Sequence, residues 1–390
     1  MEIKNRKSIV SNLLEKAIHY ILKISPYFML RHMFERIIAQ IETTDNAFFT
    51  YHERPKKSKS VNIQSNEIHS NDKFAIVIQG SIIKDENFTL ETVRMYKKTF
   101  SDAQIILSTW EDEKNHIAIF ENENITIVLN QYPQYNGTQN INYQIVSSFN
   151  GIKAAKELGN QYVLKTRTDQ RIYGINSREF LINIVNEFPV NGLYKQKKRI
   201  VGISLNTFKY RLYGMSDMLV FGDIDDMMIY WNPALDERAK VTERTNTIRE
   251  FCNLNMCEVY LATEFLKTIG HELKWTLNDS WQVFADNFCI IDKESLDVYW
   301  MKYSRHKEYR YLVYNKESLF SEMSFRDWFN LYYSYKNNIN HMLNIPESIL
   351  DLPILRVRNK FISKRSIAKL FKDSKCSKIY RMISGRKQQK

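Results

Sequence analysis

From Lys73 onward the chain alternates short uninterrupted apolar runs with longer stretches of helical period. Phe74 to Gln79 reads Phe-Ala-Ile-Val-Ile-Gln and stops at Gly80-Ser81. A run of that length without polar alternation predicts a strand covered on both faces, as in a parallel sheet. Ala103 to Ser108, Ile125 to Leu129 and Tyr162 to Arg167 repeat the pattern. Between them, Thr89 to Phe100 and Gln139 to Leu158 carry apolar residues at helical spacing, and Gly159 stops the second. Further along, Ser177 to Phe188 predicts a helix, and Ile200 to Leu205 and Met218 to Phe221 predict strands. A helix opens at Cys257-Glu258 and ends at Gly270, a short one spans Asp279 to Phe288, and Phe288 to Ile291 reads as a final strand. This order predicts an α/β fold with a mostly parallel central sheet and flanking helices.

The flanks differ in pattern. Residues 8 to 42 predict two amphipathic helices broken at Pro26, and Arg54 to Asp72 is polar with a Lys-Lys-Ser-Lys-Ser run. An aromatic helix is expected near Phe325 to Met342. The chain therefore divides into a helical N-terminal extension (1–50), a polar linker (51–72), an α/β domain (73–305), an aromatic helical part (306–350) and a basic amphipathic helical tail (351–390).

Charge sharpens that division. From Ile354 to Lys390 there are thirteen Lys and Arg against one acid, Asp373, which accounts for the whole formal charge of +12. A basic tail on a neutral body predicts an electrostatic tether to an anionic membrane surface, not a specific nucleic-acid reader. Phe361, Ile362, Ile367, Leu370 and Phe371 interleave with its cations, which suits a segment lying on a bilayer. The four cysteines lack zinc spacing, and no apolar run approaches a membrane span. A cytoplasmic, peripheral location on the inner face of the membrane is the expectation.

Chemistry concentrates in Tyr162 to Tyr173, where an apolar strand becomes crowded with charge. If the stretch stays extended, Lys165, Arg167, Asp169 and Arg171 share one face. Such charges belong at the C-terminal end of a strand, where open α/β sheets present their ligand crevice. Cations there suit phosphates, and a lone carboxylate among them suits a divalent metal. Two other strand ends are polar or aromatic, Gln79-Gly80-Ser81 and Ser108-Thr109-Trp110. Gly80 allows close backbone approach to a ligand, and Trp110 can stack on a base or sugar. No phosphate-binding glycine loop of the Walker or dinucleotide type follows the first strand, which weighs against both classes. Among the later acids, Asp223, Asp225 and Asp226 read as helix-start residues. Asp217 precedes a strand and has no such role, while Glu258 sits in a helix first turn. His306 is a further candidate for a metal or phosphate contact.

The central part resembles the WavE family of lipopolysaccharide and capsule biosynthesis proteins, read as glycosyltransferases. The resemblance lies in Ile78-Gln79-Gly80-Ser81, Ile106-Leu107-Ser108-Thr109-Trp110, Leu164-Lys165-Thr166-Arg167-Thr168-Asp169, Ser216-Asp217 with Phe221-Gly222, and Glu258-Val259-Tyr260-Leu261, over roughly residues 74 to 300. It implies a GT-A-like sheet and transfer of a sugar from a nucleotide-sugar donor to a glycan or lipid-linked glycan acceptor of bacterial surface polysaccharide. It also implies an Asp-x-Asp-type element holding manganese or magnesium on the donor diphosphate. Here that element is Arg167-Thr168-Asp169, with only its last carboxylate, so Arg167 and Arg171 are expected to share the neutralisation. Tyr143 stands before Gln144 where family members often carry Arg, with Asn140 and Asn142 nearby. On this reading Asp169 is the metal ligand, and Gln79, Gly80, Ser81, Trp110, Lys165, Arg167 and Arg171 bind the donor. An inverting reaction also needs a general base. Asp217 and Glu258 are the candidates, Asp217 preferred. The rival readings are a nucleotidyltransferase and a non-catalytic, membrane-associated scaffold of a polysaccharide assembly.

Overall fold

The apolar runs become the middle of one sheet. The computed structural model describes residues 19–21, 23–43, 53–61, 72–100, 102–238, 245–301, 322–339 and 345–352. The chain divides into two compact units, Met1–Pro55 and Lys56–Lys390. In the first, helix α1 (Tyr27–Glu42) starts directly after Pro26, as the break in the pattern predicts, and buries none of its residues.

The second unit is built on strands β1 (Phe74–Gln79), β2 (Gln104–Trp110), β3 (Thr126–Asn130), β4 (Tyr162–Arg167), β5 (Gln170–Ile172), β6 (Ile200–Ile203), β7 (Val220–Asp223), β8 (Phe288–Ile291) and β9 (Val298–Trp300). Seven of them form a sheet in the order β3-β2-β1-β4-β7-β6-β8, and β5 pairs with β9 in a separate two-stranded ribbon. The contacts β3–β2, β2–β1, β1–β4 and β6–β8 are parallel, while β7 runs antiparallel to both β4 and β6. All six residues of β1 are buried, as a doubly covered central strand requires.

Among the described residues this unit also holds the α-helices α2 (Phe88–Thr99), α3 (Ile141–Glu157), α4 (Ser177–Glu187), α5 (Ile224–Tyr230), α6 (Ile248–Asn253), α7 (Cys257–Ile269), α8 (Leu277–Asp286) and α9 (Phe325–Lys336). Local chemistry sets several of their ends. Asp223 caps α5 by accepting from Asp225 N at 2.9 Å, and α7 ends at Gly270 with φ +101°. Gly151 lets α3 lie close on the sheet, since a Cβ there would stand 2.5 Å from Val77 Cγ1.

Part of the stretch expected to be linker belongs to the second unit. Ser58 is buried, its N–H donates to Glu91 Oε2 at 2.7 Å, and Lys98 Nζ donates to its carbonyl at 2.9 Å. The lysines and serines of 56–60 look like linker by composition, but Glu91 and Lys98 on α2 supply partners for this backbone. The tail from 353 onward and His306 lie outside the described residues.

Candidate active site

Register brings the polar strand ends side by side. Gln79 is opposite Ser108 on β2 and Arg167 on β4, so the chain leaves β1 and β4 at the same edge. Gly80 N donates to Ser108 O at 3.0 Å, and Thr168 N donates to Gln79 O at 3.0 Å. Gly80 has φ +115°, and a Cβ on it would lie 3.1 Å from Thr168 Oγ1. Both the conformation and the close approach of the two loops call for glycine here. Beyond these strand ends opens a cleft of about 310 Å³, lined in part by Gln79, Gly80, Ser81, Trp110, Arg167 and Asp169. The remaining wall includes Gln139, Asn140, Tyr143 and Gln144 at the start of α3.

The charges in this cleft face each other. Arg167 Nε donates to Asp169 Oδ1 at 2.8 Å and Nη2 to Oδ2 at 3.1 Å, a two-pronged ion pair. Trp300 Nε1 donates to Asp169 Oδ2 at 3.1 Å, and Met301 N binds the Asp169 carbonyl at 2.9 Å. Both carboxylate oxygens are therefore engaged. Among the described residues no other acid lines the cleft, and none form a group of three or more His, Cys, Asp or Glu able to hold a metal ion. The cation expected at Asp169 would draw its other ligands from the donor diphosphate, since this donor set alone is not a divalent cation site. The set fits an anion, because a guanidinium fork matches a phosphate as well as a carboxylate.

Lys165 and Arg171 lie away from the cleft. Lys165 is fully buried, donates to Asp217 O at 2.6 Å and stands 4.5 Å from the Trp231 ring centroid. Burial lowers its ammonium pKa to about 7, and its bond to Asp217 O holds it away from a phosphate in the cleft. The extended stretch expected through Arg171 is broken at Thr168-Asp169, where the chain turns into β5 and pairs with β9. Arg171 consequently donates to Thr92 Oγ1, Lys56 O and Phe88 O, each at 2.9 Å, and lies over the Phe88 ring. Its guanidinium ties α2 to the incoming chain. Trp110 lines the cleft but is covered on one face by Tyr132, their rings stacked at 4.4 Å, and Tyr143 meets both edge-on at 5.4 Å. The aromatic surface is thus a three-ring cluster, not a lone tryptophan.

Asp217 and Glu258 come together beside the cleft without lining it. Asp217 is 5% exposed, and its carboxylate makes no hydrogen bond among the described residues. Glu258, in the first turn of α7, accepts from Asn206 Nδ2 and lies 3.6 Å from Arg211 Nη1. Burial raises its pKa, Arg211 opposes that, and the neighbouring Asp217 charge adds to it. The Tyr230 hydroxyl and Arg211 Nε, both within electrostatic reach of the pair, are buried without hydrogen-bond partners among the described residues. Gln139 links the two regions: it lines the cleft, and its Oε1 is 3.5 Å from the Sγ of Cys257, next to Glu258.

Arg211, Asn206, Trp300, Gln139 and Tyr132 were not singled out by the sequence. Only Gln139 carried a signal, as the polar start of an amphipathic helix. Asn140 lines the cleft, whereas Asn142 is a clamp: its Nδ2 donates to Tyr135 O and Asp236 O, both at 2.9 Å.

Comparison with known proteins adds a family. Among solved structures, 4-diphosphocytidyl-2C-methyl-D-erythritol synthase from Anaerococcus prevotii DSM 20548 is 12% identical, over 68% of this chain and 99% of that one, with a TM-score of 0.33. S. aureus TarS in complex with UDP is 12% identical, over 55% of this chain and 70% of that one, with a TM-score of 0.29. Likenesses this faint carry no argument about activity. The chain matches none of the curated protein sequences it was compared with. The family model described as WavE lipopolysaccharide synthesis matches residues 74–360, from the first residue of β1 to beyond α9. That span takes in the whole central sheet and every cleft residue, and the chain belongs to the WavE lipopolysaccharide synthesis family.

Proposed function

We propose that the protein is a glycosyltransferase with a GT-A-like sheet, taking a sugar from a nucleoside diphosphate donor and adding it to a growing surface polysaccharide. The observation that carries this reading is the convergence of three strand ends on one cleft holding a guanidinium and an aromatic cluster. The cleft offers the diphosphate Arg167, and the nucleoside the side-chain amides of Gln139, Asn140 and Gln144 with the Tyr143 ring. In the reaction the bond between the anomeric carbon and the diphosphate oxygen breaks, its electron pair leaving on the diphosphate. The acceptor hydroxyl oxygen forms the new bond and gives up its proton. Arg167 stabilises the leaving charge, and in an inverting transfer Asp217 takes the proton. Burial and the neighbouring Asp217 charge raise the Glu258 pKa, which favours its neutral form.

The test is release of nucleoside diphosphate from a panel of nucleotide sugars supplied with lipopolysaccharide or capsule precursors. Release is expected from one member of the panel. Binding without release in every combination would favour a non-catalytic scaffold, a reading supported by the engagement of the single cleft carboxylate by Arg167. A nucleotidyltransferase would instead release pyrophosphate from a nucleoside triphosphate. The loop Gly80-Ser81-Ile82-Ile83 lacks the basic residue that such enzymes use, which disfavours it. In the same reading, residues 351–390 hold the enzyme at the anionic inner face of the bacterial cytoplasmic membrane. Among the described residues no helix is long and apolar enough to cross a membrane.

A further inference from the structure

We infer that Asp169 is a placeholder for the donor phosphate: its carboxylate occupies the guanidinium fork of Arg167 in the free protein, and a diphosphate displaces it without a divalent cation. This rests on the donor reading above and makes it specific. Three observations lead to it. First, Arg167 and Asp169 form two N–H···O bonds, 2.8 and 3.1 Å long, at the cleft wall. A guanidinium accepts a carboxylate or a phosphate in this paired geometry, so one can stand in for the other. Second, Asp169 has somewhere to go. Trp300 Nε1 already donates to Oδ2 at 3.1 Å, and the backbone on either side is fixed by Thr168 N to Gln79 O and Met301 N to Asp169 O. The side chain can swing off Arg167 and keep a donor while the main chain stays put. Third, the alternative partner for a diphosphate is poorly provided. Among the described residues Asp169 is the only acid lining the cleft, Gln79 Oε1 is taken by Ser147 Oγ at 2.8 Å, and no cluster of metal-ligating side chains occurs. Among the described residues Arg167 and Asp169 are also the only charged ones lining the cleft, so the Arg167 charge stays neutralised while the two are paired.

The two possible roles of Asp169 predict opposite signs. As a metal ligand its removal abolishes binding. As a placeholder its negative charge competes with the phosphate, and its neutralisation strengthens binding. The substitution Asp169→Asn keeps the shape while removing the charge and turning one of the two acceptors into a donor.

The experiment is calorimetric titration of the full chain with UDP, GDP, CDP and ADP, each in EDTA and each in manganese, on wild type, Asp169→Asn and Arg167→Gln. At least one nucleotide is expected to bind wild type in EDTA. Asp169→Asn should bind it roughly tenfold more tightly, and Arg167→Gln at least roughly tenfold more weakly, the scale of one charge-assisted contact. Unchanged affinity in Asp169→Asn would overturn the placeholder. Binding to wild type only in manganese, lost in Asp169→Asn, would overturn it in favour of a metal site while leaving the donor reading intact. No binding by any nucleotide to folded wild type would sink both. The wild-type comparison of EDTA with manganese needs no variant, so a folding defect in either substitution leaves a decisive measurement.

Discussion

Lys165→Met isolates one buried charge. The Lys165 side chain is fully buried, its Nζ is 2.6 Å from Asp217 O, and burial lowers its pKa from 10.5 to about 7. In the unfolded chain the amine keeps its ordinary pKa. Between those two values the unfolded state therefore holds a proton that the folded state has released, and stability rises with pH. Below about pH 7 both states are protonated and the penalty for burying the charge is fully present. The slope approaches about 1.4 kcal/mol per pH unit, and integration from about pH 7 to 8.5 gives a gain of roughly 1.5 kcal/mol. The buried thiols of Cys252, Cys257 and Cys289 act in the opposite direction near the top of that window, because burial raises their pKa values. They are common to both proteins, so the difference between wild type and Lys165→Met cancels them. The assay is urea unfolding at several pH values in the window. Wild type should gain roughly 1.5 kcal/mol more than the variant as pH rises. Absolute stability is not the readout, since methionine removes both the charge and a hydrogen bond to Asp217 O. Parallel pH profiles for the two proteins would refute the assignment of a depressed lysine beneath the site.

Other substitutions probe the packing and the chemistry. Gly80→Ala puts a side chain at φ +115° with its Cβ 3.1 Å from Thr168 Oγ1. It should cost about 1–3 kcal/mol in urea unfolding and weaken nucleotide binding, because the strain sits in the cleft wall. Gly151→Ala drives a methyl against Val77 Cγ1 and Ser108 Cβ, at 2.5 and 3.1 Å. Lifting α3 from the sheet should cost about 1–3 kcal/mol, and an unchanged urea midpoint would contradict the close packing. Asp217→Asn should lower turnover by roughly 10²–10⁴-fold while leaving nucleoside diphosphate affinity nearly unchanged, the split expected of a proton acceptor outside the donor cleft. Deleting residues after Pro353 should abolish binding to anionic liposomes and spare nucleotide binding. Retained liposome binding would remove the tether from consideration.

The legible parts of the sequence are those where burial alone sets the pattern. β1, β4 and β8 occupy Phe74–Gln79, Tyr162–Arg167 and Phe288–Ile291, the bounds of their apolar runs, and nearly all of their residues are buried. β2 runs two residues past its apolar run to Trp110, because its polar end still pairs with β3. Gln79, Gly80, Ser81, Trp110, Arg167 and Asp169 meet in one cleft because each ends or follows a parallel strand, and strand ends can be found from the apolar runs. Arg171 departs because the turn at Thr168-Asp169 is fixed by pairing of β5 with β9, about 130 residues away by the register Gln170 to Trp300. No local pattern encodes that pairing. The same holds for Arg211 and Asn206, which reach Glu258 only through the packing of a loop on α7. Lys165 looked like a phosphate ligand because a charge in an apolar strand usually marks a site. Here the Asp217 carbonyl and the Trp231 ring accommodate it instead.

Thermal unfolding of wild type and Arg167→Gln, each with a panel of nucleoside diphosphates, tests whether the cleft between the strand ends binds a nucleoside diphosphate. One nucleotide should selectively stabilise wild type, by about 2.7 kcal/mol at a hundredfold excess over its Kd, and Arg167→Gln should lose at least about half of that effect at the same concentration. Absence of stabilisation by every nucleotide, in a protein that unfolds cooperatively, would contradict such binding.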